Sequence, residues 1–394
     1  MAKKTIRDLK DLTGTRVFVR VDYNVPIEKG SITDDTRIRA SLPTLRHLIA
    51  AGAQLVLASH LGRPKKGPAP EFSLAPVAAR LSALLGQPVT FATDCVGPGV
   101  ATMARALGNG GVLLLENVRF HPEEEKNDPA FAKQLVESSG ATVFVNDAFG
   151  SAHRAHASTE GVSHHVKTSV AGLLMDKELK YLGMAMGAPA RPFVAVLGGA
   201  KVSDKIQVIE SLLPRVDALL VGGGMAYTFF RAQGLATAKI LVEEDKVALA
   251  NQLLAKAGGK IHLPVDHVVA SAFKADAEIR VLPVTEIPDG WMGLDIGPKT
   301  AAAFAAEARA AQIVLWNGPM GVFEMAPFAA GTLAMAKALA ESPGISIVGG
   351  GDSVAAVTQM GLADKIDHVS TGGGASLEFL AGDPLPGVAC LQDP

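Results

Sequence analysis

The sequence predicts an α/β protein of two domains, each a parallel β-sheet flanked by helices. Three observations lead to this fold class. The chain has 394 residues, or two to three domains at roughly 150 residues each. Short apolar runs alternate with helical segments, which is typical of βαβ units and parallel sheets. One amphipathic segment at 172–187 interrupts the alternation near the middle of the chain.

The first half contains short strands separated by helices. Each strand is four or five residues of mostly β-branched or aliphatic type, as in strands buried on both faces. The predicted strands are Val17–Val21, Leu55–Ala58, Val112–Leu115 and Thr142–Val145, and the helices include Arg39–Ala51, Leu74–Leu85 and Pro129–Ser138. After Val166 the alternation pauses, and we expect the helix at 172–187 to have no strand beside it.

A second set of strands follows the Ala-Pro-Ala-Arg-Pro stretch at 188–192. Its members are Phe193–Leu197, Ala218–Val221, His267–Ala270, Ile313–Trp316 and Ile345–Val348. We therefore predict two Rossmann-like domains, at 1–171 and 188–375, with a deep cleft between them. The helix at 172–187 is the predicted hinge, and 376–394 is a separate final segment.

The charge balance excludes several classes of partner. Lys and Arg together number 37 and Asp and Glu 39, so no global basic field is available for nucleic acid or an anionic membrane. No uncharged apolar stretch reaches the ~18 residues of a membrane span, and the start lacks a signal-peptide core. Cys95 and Cys390 are too few for a disulfide framework. Two reduced thiols are typical of a cytoplasmic protein.

Charged and polar residues follow the strands of the first half. Ligand contacts gather at the carboxyl ends of parallel strands, so we expect these residues to converge on one edge of the sheet. Guanidinium groups bind phosphate and carboxylate in bidentate fashion, and Asp or Asn can hydrogen-bond ligand hydroxyls. The pattern predicts a site for a small polyanion. Its candidates are Asp22, Asn24, Arg37, His60, Arg63, Arg119 and Arg154.

Glycine clusters follow the strands of the second half, at 198–199, 222–224, 349–351 and 372–374. Glycine lets the backbone approach a phosphate closely, and a following helix start favours an anion. After the first cluster, Lys201 and Lys205 are predicted on one face of a helix, where they can meet phosphoryl oxygens.

Carboxylates beside two of these turns suggest a magnesium nucleotide. Asp352 follows the third cluster, where it can support a Mg²⁺ held mainly by nucleotide phosphates and water, or cap the helix. Ser353 adds a hydroxyl, and Glu324 after the turn at Asn317 can bind ribose hydroxyls. The chain has neither a G-x-x-x-x-G-K-[ST] loop nor a G-x-G-x-x-G fingerprint.

With these motifs the chain resembles the phosphoglycerate kinase family from about residue 5 to about residue 388. The matching blocks are RVDYNVP (20–26), SHLGRP (59–64), LLENVRFHPEEE (114–125), NDAFGSAHRAH (146–156), LGGAKVSDK (197–205), GWMGLDIGP (290–298), WNGPMGVFE (316–324), GGGDS (349–353) and STGGGASLE (370–378). Tyr23 stands where the family usually has Phe, and Ser353 where it has Thr. Each keeps the ring or the hydroxyl.

The resemblance implies a monomeric, cytosolic enzyme whose first domain binds 3-phosphoglycerate or 1,3-bisphosphoglycerate and whose second binds Mg-ADP or Mg-ATP. It also implies that Ser376–Pro394 returns to the first domain. The implied substrate contacts are Asp22, Tyr23, Asn24, Arg37, His60, Leu61, Gly62, Arg63, Arg119 and Arg154. The implied nucleotide contacts are Gly199, Lys205, Gly293, Asn317, Glu324, Gly350, Gly351, Asp352 and Ser353.

The implied reaction is reversible phosphoryl transfer between 1,3-bisphosphoglycerate and ADP. The attacking oxygen of ADP is already anionic and the leaving group is a carboxylate, so no general base is needed. Catalysis should rest on in-line positioning after domain closure and on charge stabilisation. We expect the stabilising groups to be Arg37, Lys201, Lys205, Mg²⁺ at Asp352, and the helix start at Gly373.

Two alternatives stay open at this point. One is another small acyl-phosphate kinase that differs only in what the arginines accept. The other is a catalytically silent nucleotide- or sugar-phosphate-binding protein on the same scaffold. Lys201, Lys205 and Asp352 are all present, which argues against a silent protein.

Overall fold

The structure, a computed structural model, describes residues 2–65, 67–238 and 242–394. Its internal contacts divide the chain into two compact units. The first comprises Met1–Lys180 and Pro384–Pro394, and the second comprises Tyr181–Asp383. The boundary therefore falls inside the helix predicted at 172–187. The chain re-enters the first unit at Pro384, eight residues after the predicted return at Ser376.

The first unit is built on a six-stranded parallel sheet in the order β5-β6-β4-β1-β7-β8, beside a small β2-β3 hairpin. Helices connect the strands, as the alternating pattern predicts. The strands are β1 (Arg16–Arg20), β2 (Ile27–Glu28), β3 (Ser31–Ile32), β4 (Gln54–Ala58), β5 (Val89–Phe91), β6 (Val112–Leu114), β7 (Val143–Asn146) and β8 (Thr168–Ala171). The helices are α1 (Thr36–Ala50), α2 (Ala75–Leu85), α3 (Pro98–Arg105) and α4 (Pro129–Ser139), and α5 (Leu173–Met186) contains the boundary between the two units.

The local sequence explains why these elements form where they do. β1 lies between β4 and β7, and its Val17, Phe18 and Val19 are fully buried. Helix α4 begins where the Asp128 carboxylate accepts the backbone N–H of Phe131 at 2.8 Å. It ends at Gly140, whose φ of 64° is the left-handed conformation that glycine adopts readily.

Two strands of the first sheet were not predicted. β5 and β8 lie at opposite edges of the sheet, and β8 directly precedes α5, so the expectation of no strand beside that helix is wrong. β5 is only three residues long and partly exposed, and β8 begins with Thr168 and Ser169. Neither presents the continuous apolar run by which the inner strands are recognised.

The second unit contains another six-stranded parallel sheet, in the order β11-β10-β9-β15-β16-β17. The strands of this unit are β9 (Phe193–Leu197), β10 (Ala218–Val221), β11 (Ile261–His262), β12 (Asp266–Ala270), β13 (Ile279–Pro283), β14 (Met292–Ile296), β15 (Ile313–Asn317), β16 (Ile345–Gly349) and β17 (His368–Val369). The helices are α6 (Ile206–Leu212), α7 (Ala226–Ala232), α8 (Val247–Ala257), α9 (Pro298–Ala310), α10 (Ala330–Ala340), α11 (Gly351–Gln359) and α12 (Gly374–Ala381).

One predicted strand belongs to a different sheet. β12, predicted as His267–Ala270, pairs antiparallel with β13 and β14 in a three-stranded sheet and not with the parallel strands. Its five residues are all buried, like those of an inner parallel strand. Burial on both faces alone therefore could not distinguish the two sheets.

The returning segment, which includes α13 (Pro386–Ala389), is joined to the first unit by backbone and side-chain hydrogen bonds. The Asn146 side chain donates to the carbonyl of Gly387 at 2.8 Å, and the backbone N–H of Gln392 donates to Ser169 of β8 at 2.9 Å. Lys4 donates its backbone N–H to the Gln392 carbonyl at 2.8 Å. Among the helices of the described residues, none has the length and apolar character needed to cross a membrane.

Candidate functional site

In the first unit, the candidate polyanion residues lie on loops at the carboxyl edge of the parallel sheet. β4 and β7 both neighbour β1, and β6 neighbours β4. The loops that follow these four strands therefore meet, as expected for this architecture. Asp22 and Asn24 follow β1, His60 and Arg63 follow β4, and the other predicted arginines come from α1 and from the segments after β6 and β7.

Asp22 and Asn24 organise this edge through hydrogen bonds. Arg37 of α1 forms an ion pair with the Asp22 carboxylate at 2.6 Å. The Asn24 side-chain oxygen accepts the backbone N–H of Gly62 at 2.8 Å, which joins the loop after β1 to the loop after β4. Two of the loops are thus connected before any ligand binds.

Three arginines concentrate positive charge at the same edge. Arg119 donates to the Gly62 carbonyl at 2.9 Å and pairs with Glu125 at 3.3 Å. Burial lowers the pKa of Arg119, and the neighbouring Arg154 and Arg63 lower it further. Arg63 and Arg154 are themselves exposed. An anion bound between these guanidinium groups would relieve their mutual repulsion.

Two predicted substrate contacts direct their side chains elsewhere. Tyr23 is fully buried in the core, where its hydroxyl lies 2.9 Å from Ser41 Oγ. Leu61 is 4% exposed and packs in the same core, while its carbonyl accepts the Asn117 side chain at 2.7 Å. The side chains of both residues stabilise the loops and do not form the polar edge.

A buried polar network that was not predicted lies beneath the arginines. Arg20 of β1 is 1% exposed. Its guanidinium lies 3.0 Å from His60 Nδ1 and donates to Ser158 Oγ at 2.8 Å. Ser158 donates in turn to the buried Glu124 carboxylate at 2.6 Å. The signal was present in the sequence, because Arg20 interrupts an otherwise apolar strand.

This network determines the charge state of His60. Burial lowers the pKa of His60 well below its usual value, and the adjacent Arg20 and Arg119 lower it further. At neutral pH the ring is therefore uncharged. His60 can offer a hydrogen bond to an anion, while the positive charge at this edge comes from the arginines.

In the second unit, the glycine clusters surround two adjoining cavities of about 270 and about 560 Å³. Gly199, Ala200 and Asp352 line both of them. Every predicted nucleotide contact lines one cavity or both. Gly293 and Glu324 line the smaller cavity, and the larger one is lined by Lys205, Asn317, Gly350, Gly351 and Ser353 together with Lys201 and Gly373.

The smaller cavity has largely apolar walls, which suit a flat aromatic base. Tyr227 forms part of the wall, and its hydroxyl lies 2.9 Å from His267 Nδ1. His267 Nε2 lies 3.0 Å from the Glu286 carbonyl. A side chain at Gly293 would overlap the Tyr227 hydroxyl, so glycine is required there. Tyr227 and His267 were not predicted, since Tyr227 lies within helix α7 and His267 within strand β12, and neither lies in a strand-end loop.

Lys205 is a buried cation in the larger cavity. Helix α6 begins at Ile206, so Lys201 and Lys205 lie in the turn before it and not on one helical face as predicted. Lys201 is exposed, whereas Lys205 is 8% exposed and donates to the Asn317 side-chain oxygen. Burial lowers the pKa of Lys205 to about 8, against the attraction of Asp204 and Asp352.

The same cavity holds a buried donor without a partner. Within the described residues, Asn317 Nδ2 makes no hydrogen bond. A buried unpaired N–H is costly, so this atom indicates an acceptor that a ligand would supply.

Helix starts complete the cavity wall. Gly350, with φ of 86°, occupies the N-cap position of α11, so Asp352 lies in the first turn and is not the cap. Ser353 Oγ accepts the backbone N–H of Gly318 at 2.6 Å, which holds this helix against the turn after β15. Gly373, with φ of 49°, precedes α12. Free N–H groups at such helix starts attract anions.

Comparison with known proteins finds similarity over the whole chain. A family model described as phosphoglycerate kinase matches residues 6–383. The chain is 60% identical to a phosphoglycerate kinase of Moorella thermoacetica over 100% of both proteins. It is also 60% identical to a cytosolic phosphoglycerate kinase of Triticum aestivum, over 97% of this chain and 96% of the relative. The solved phosphoglycerate kinase of Coxiella burnetii superposes with a TM-score of 0.89, at 42% identity over 99% of this chain and 98% of that one.

Proposed function

This chain belongs to the phosphoglycerate kinase family and is a phosphotransferase of glycolysis, and we propose how its residues carry out that activity. The reaction moves a phosphoryl group between 1,3-bisphosphoglycerate and ADP, giving 3-phosphoglycerate and ATP. The relatives give no support to the alternatives of a silent binding protein or another acyl-phosphate kinase.

The phosphorylated three-carbon acid binds to the polar edge of the first unit. Arg63, Arg119 and Arg154 bind its phosphate, because their guanidinium groups are close enough that Arg63 and Arg154 lower the pKa of Arg119. Asp22 and Asn24 hydrogen-bond its hydroxyl. Arg37 is held toward the same edge by its 2.6 Å ion pair with Asp22, and stabilises charge on the acyl-phosphate end.

The nucleotide binds across the two cavities of the second unit. The base occupies the apolar cavity beside Gly293 and Tyr227, the ribose lies at Glu324, and the phosphates occupy the glycine-lined cavity. One observation carries this assignment: within the described residues, the buried Lys205 ammonium and the Asn317 Nδ2 donor that lacks a partner lie in the same cavity. Both groups are satisfied by phosphoryl oxygens.

Mg²⁺ fits beside Asp352, the carboxylate that lines both cavities. A single protein carboxylate, with phosphates and water as the other ligands, is the usual environment of this ion in nucleotide sites. When bound, the ion would shield the negative charge of the phosphates. Through the ion, Asp352 would hold the nucleotide phosphates close to the Lys205 ammonium.

Asp352→Asn should raise the Mg²⁺ concentration that gives half-maximal rate by roughly tenfold or more, because an amide is a weaker ligand for a hard cation. The measurement is a Mg²⁺ titration of initial rates at saturating nucleotide and 3-phosphoglycerate. Asp364→Asn, at an exposed carboxylate of the same unit, is the matched control. An unchanged Mg²⁺ requirement in Asp352→Asn would remove this residue from the cation site.

Transfer needs no proton movement, since an ADP oxygen attacks and a carboxylate leaves. The residues therefore act by position and charge: Arg37 from the first unit, and Lys201, Lys205 and the helix start at Gly373 from the second. Reacting atoms must approach to about 3–3.5 Å in line. Because each substrate has its own unit, the units must close on one another before transfer, with α5 as the hinge.

Small-angle X-ray scattering tests this closure. With 3-phosphoglycerate and Mg-ADP together, a pair that cannot react, the radius of gyration should be smaller than with either ligand alone. Each ligand alone serves as the control for local ordering. An unchanged radius of gyration with both ligands would contradict closure.

The enzyme acts as a cytoplasmic monomer. Support comes from the relative of Triticum aestivum, which is named cytosolic, and from two cysteines that are both free thiols in the structure. Light scattering coupled to gel filtration should return the mass of a single chain, and a dimer mass would contradict the monomer.

A further inference from the structure

A cluster of three potential metal ligands lies in the first unit, apart from the residues assigned to the two substrates. Asp94 and Cys95 lie between β5 and α3, and His121 follows the turn after β6. One carboxylate oxygen, the Cys95 sulfur and one imidazole nitrogen all lie within 4.8 Å of one another. The cluster brings together three different ligand types from two separate loops.

The three side chains are already oriented toward one point. His121 Nε2 lies 2.8 Å from Asp94 Oδ1, and the same oxygen accepts the backbone N–H of Cys95 at 2.6 Å. The His121 ring stacks on Phe131 of α4 with centroids 5.0 Å apart, which limits its rotation. A proton lies between Asp94 Oδ1 and His121 Nε2, and a metal cation bound to both atoms could replace it.

Burial gives the cluster a closed side and an open side. Cys95 is 1% exposed, whereas the Asp94 side chain is 54% exposed. An ion can therefore enter past the carboxylate and reach the thiol. Three protein ligands with one side open to water is the arrangement in which a fourth position is left for solvent.

The ligand types select the ion. A thiolate and an imidazole favour Zn²⁺ and similar borderline cations over Mg²⁺ and Ca²⁺, which prefer oxygen. Bonds of about 2.0–2.3 Å in a tetrahedral site place the ligand atoms roughly 3.3–3.7 Å apart. The ligand atoms of this cluster lie within 4.8 Å of one another, so a shift of roughly 1 Å brings them to those separations.

We propose that Asp94, Cys95 and His121 form a binding site for a zinc-class divalent cation. The bound ion joins the segment after β5 to the turn Val118–Phe120, which carries Arg119. It therefore restrains the turn that presents one of the arginines, and takes no part in phosphoryl transfer. The proposal does not depend on the assignment of the substrate sites.

Cobalt provides a spectroscopic test, since Co²⁺ replaces Zn²⁺ and absorbs when bound to a thiolate. The reduced, chelator-treated protein is titrated with Co²⁺. We expect a thiolate-to-cobalt charge-transfer band that saturates near one equivalent and disappears when Zn²⁺ is added. Cys390→Ser removes the other free thiol and should leave the band unchanged. Cys95→Ser should abolish it.

A second variant keeps the test informative if Cys95→Ser folds poorly, because that side chain is buried. His121→Gln retains a polar group beside Asp94 and should weaken Co²⁺ binding by about tenfold or more. At the same Zn²⁺ concentration, the melting temperature of the wild type should also rise more than that of His121→Gln. No thiolate band in the wild type, or a band that survives in Cys95→Ser, would show that the cluster is an ion pair beside a buried thiol.

Discussion

Replacing Lys205 with methionine should lower kcat by about 10² or more, the usual cost of removing one group that stabilises transition-state charge. Methionine retains most of the unbranched side chain and removes the ammonium, which lies in the phosphate cavity beside Asn317. The measurement is ATP-dependent consumption of 3-phosphoglycerate, coupled to a nicotinamide-linked dehydrogenase. Lys256→Met, at an exposed lysine of α8, is the control.

The same substitution should make the ligand-free protein more stable. Lowering the pKa of Lys205 from 10.5 to about 8 corresponds to roughly 3 kcal/mol spent on burying the charge at neutral pH. Methionine removes this cost but leaves Asn317 without its donor. We therefore expect a net gain of about 1–2 kcal/mol in the free energy of unfolding at pH 7.

The lowered pKa of Lys205 also predicts how the stability of the wild-type protein changes with pH. Between pH 8 and 10.5 the unfolded chain keeps the Lys205 proton that the folded protein has lost, so wild-type stability rises with pH in this window. The difference in the free energy of unfolding between the methionine variant and the wild type should therefore become smaller over this pH range. Urea unfolding followed by tryptophan fluorescence is suitable, because Trp316 is buried in the same unit.

The two measurements together distinguish catalysis from binding and from structure. A rise in the Michaelis constant for nucleotide with kcat unchanged would make Lys205 a ground-state binding residue. A large loss of stability would make it a structural one. A lower kcat together with equal or greater stability is expected only if the buried charge destabilises the folded protein and contributes to catalysis.

Arg20→Met should destabilise the first unit by about 3–5 kcal/mol, because it leaves the buried Glu124 carboxylate without its positive charge. Arg20 and Glu124 are both fully buried and are joined through Ser158. Burial lowers the pKa of Arg20 and raises that of Glu124, while each charge acts in the opposite direction on its partner. The measurement is urea unfolding followed by far-ultraviolet circular dichroism.

Two further variants distinguish the contribution of the buried ion pair to stability from that of the packing of the arginine side chain. Arg16→Met removes an arginine from the other end of β1, where the guanidinium only approaches the Ser139 carbonyl at 3.5 Å, and should cost less than about 1 kcal/mol. Adding Glu124→Gln to Arg20→Met should recover part of the loss, since the uncompensated charge is then absent. If Arg20→Met were as mild as Arg16→Met, the buried pair would not stabilise the loops.

The inner strands and the loops that follow them could be predicted because burial on both faces leaves a clear pattern in sequence. Phe193–Leu197 and Ala218–Val221 have the same bounds in the structure as in the prediction. The edge strands β5 and β8 were not predicted, since β5 is short and partly exposed, and β8 begins with the polar residues Thr168 and Ser169. β12 has the pattern of an inner parallel strand but pairs with antiparallel neighbours, and a pattern of burial contains no information on strand direction.

The candidate site residues that directly follow strands could be predicted from the sequence. The buried residues that hold those loops in place could not. Asp22, Arg119 and Asp352 belong to recognisable strand-end motifs. Arg20 and Glu124 lie in the same motifs, but only the folded chain brings them together through Ser158. Tyr23 shows the opposite error, since its neighbours line the edge while its own side chain belongs to the core.

The placement of residues 384–394 in the first unit has a consequence for synthesis of the protein on the ribosome. The first unit is discontinuous, and all of Tyr181–Asp383 is translated before its last segment is made. About 200 residues at roughly 5–20 residues per second take about 10–40 s. During that interval the N-terminal segment can bond to the edge of β8 through Lys4 and Ala171, but the hydrogen bond from Gln392 to Ser169 is missing. An incompletely paired strand edge is a template for aggregation. We therefore expect the nascent first unit to depend on protection of this edge until translation has passed Gln392.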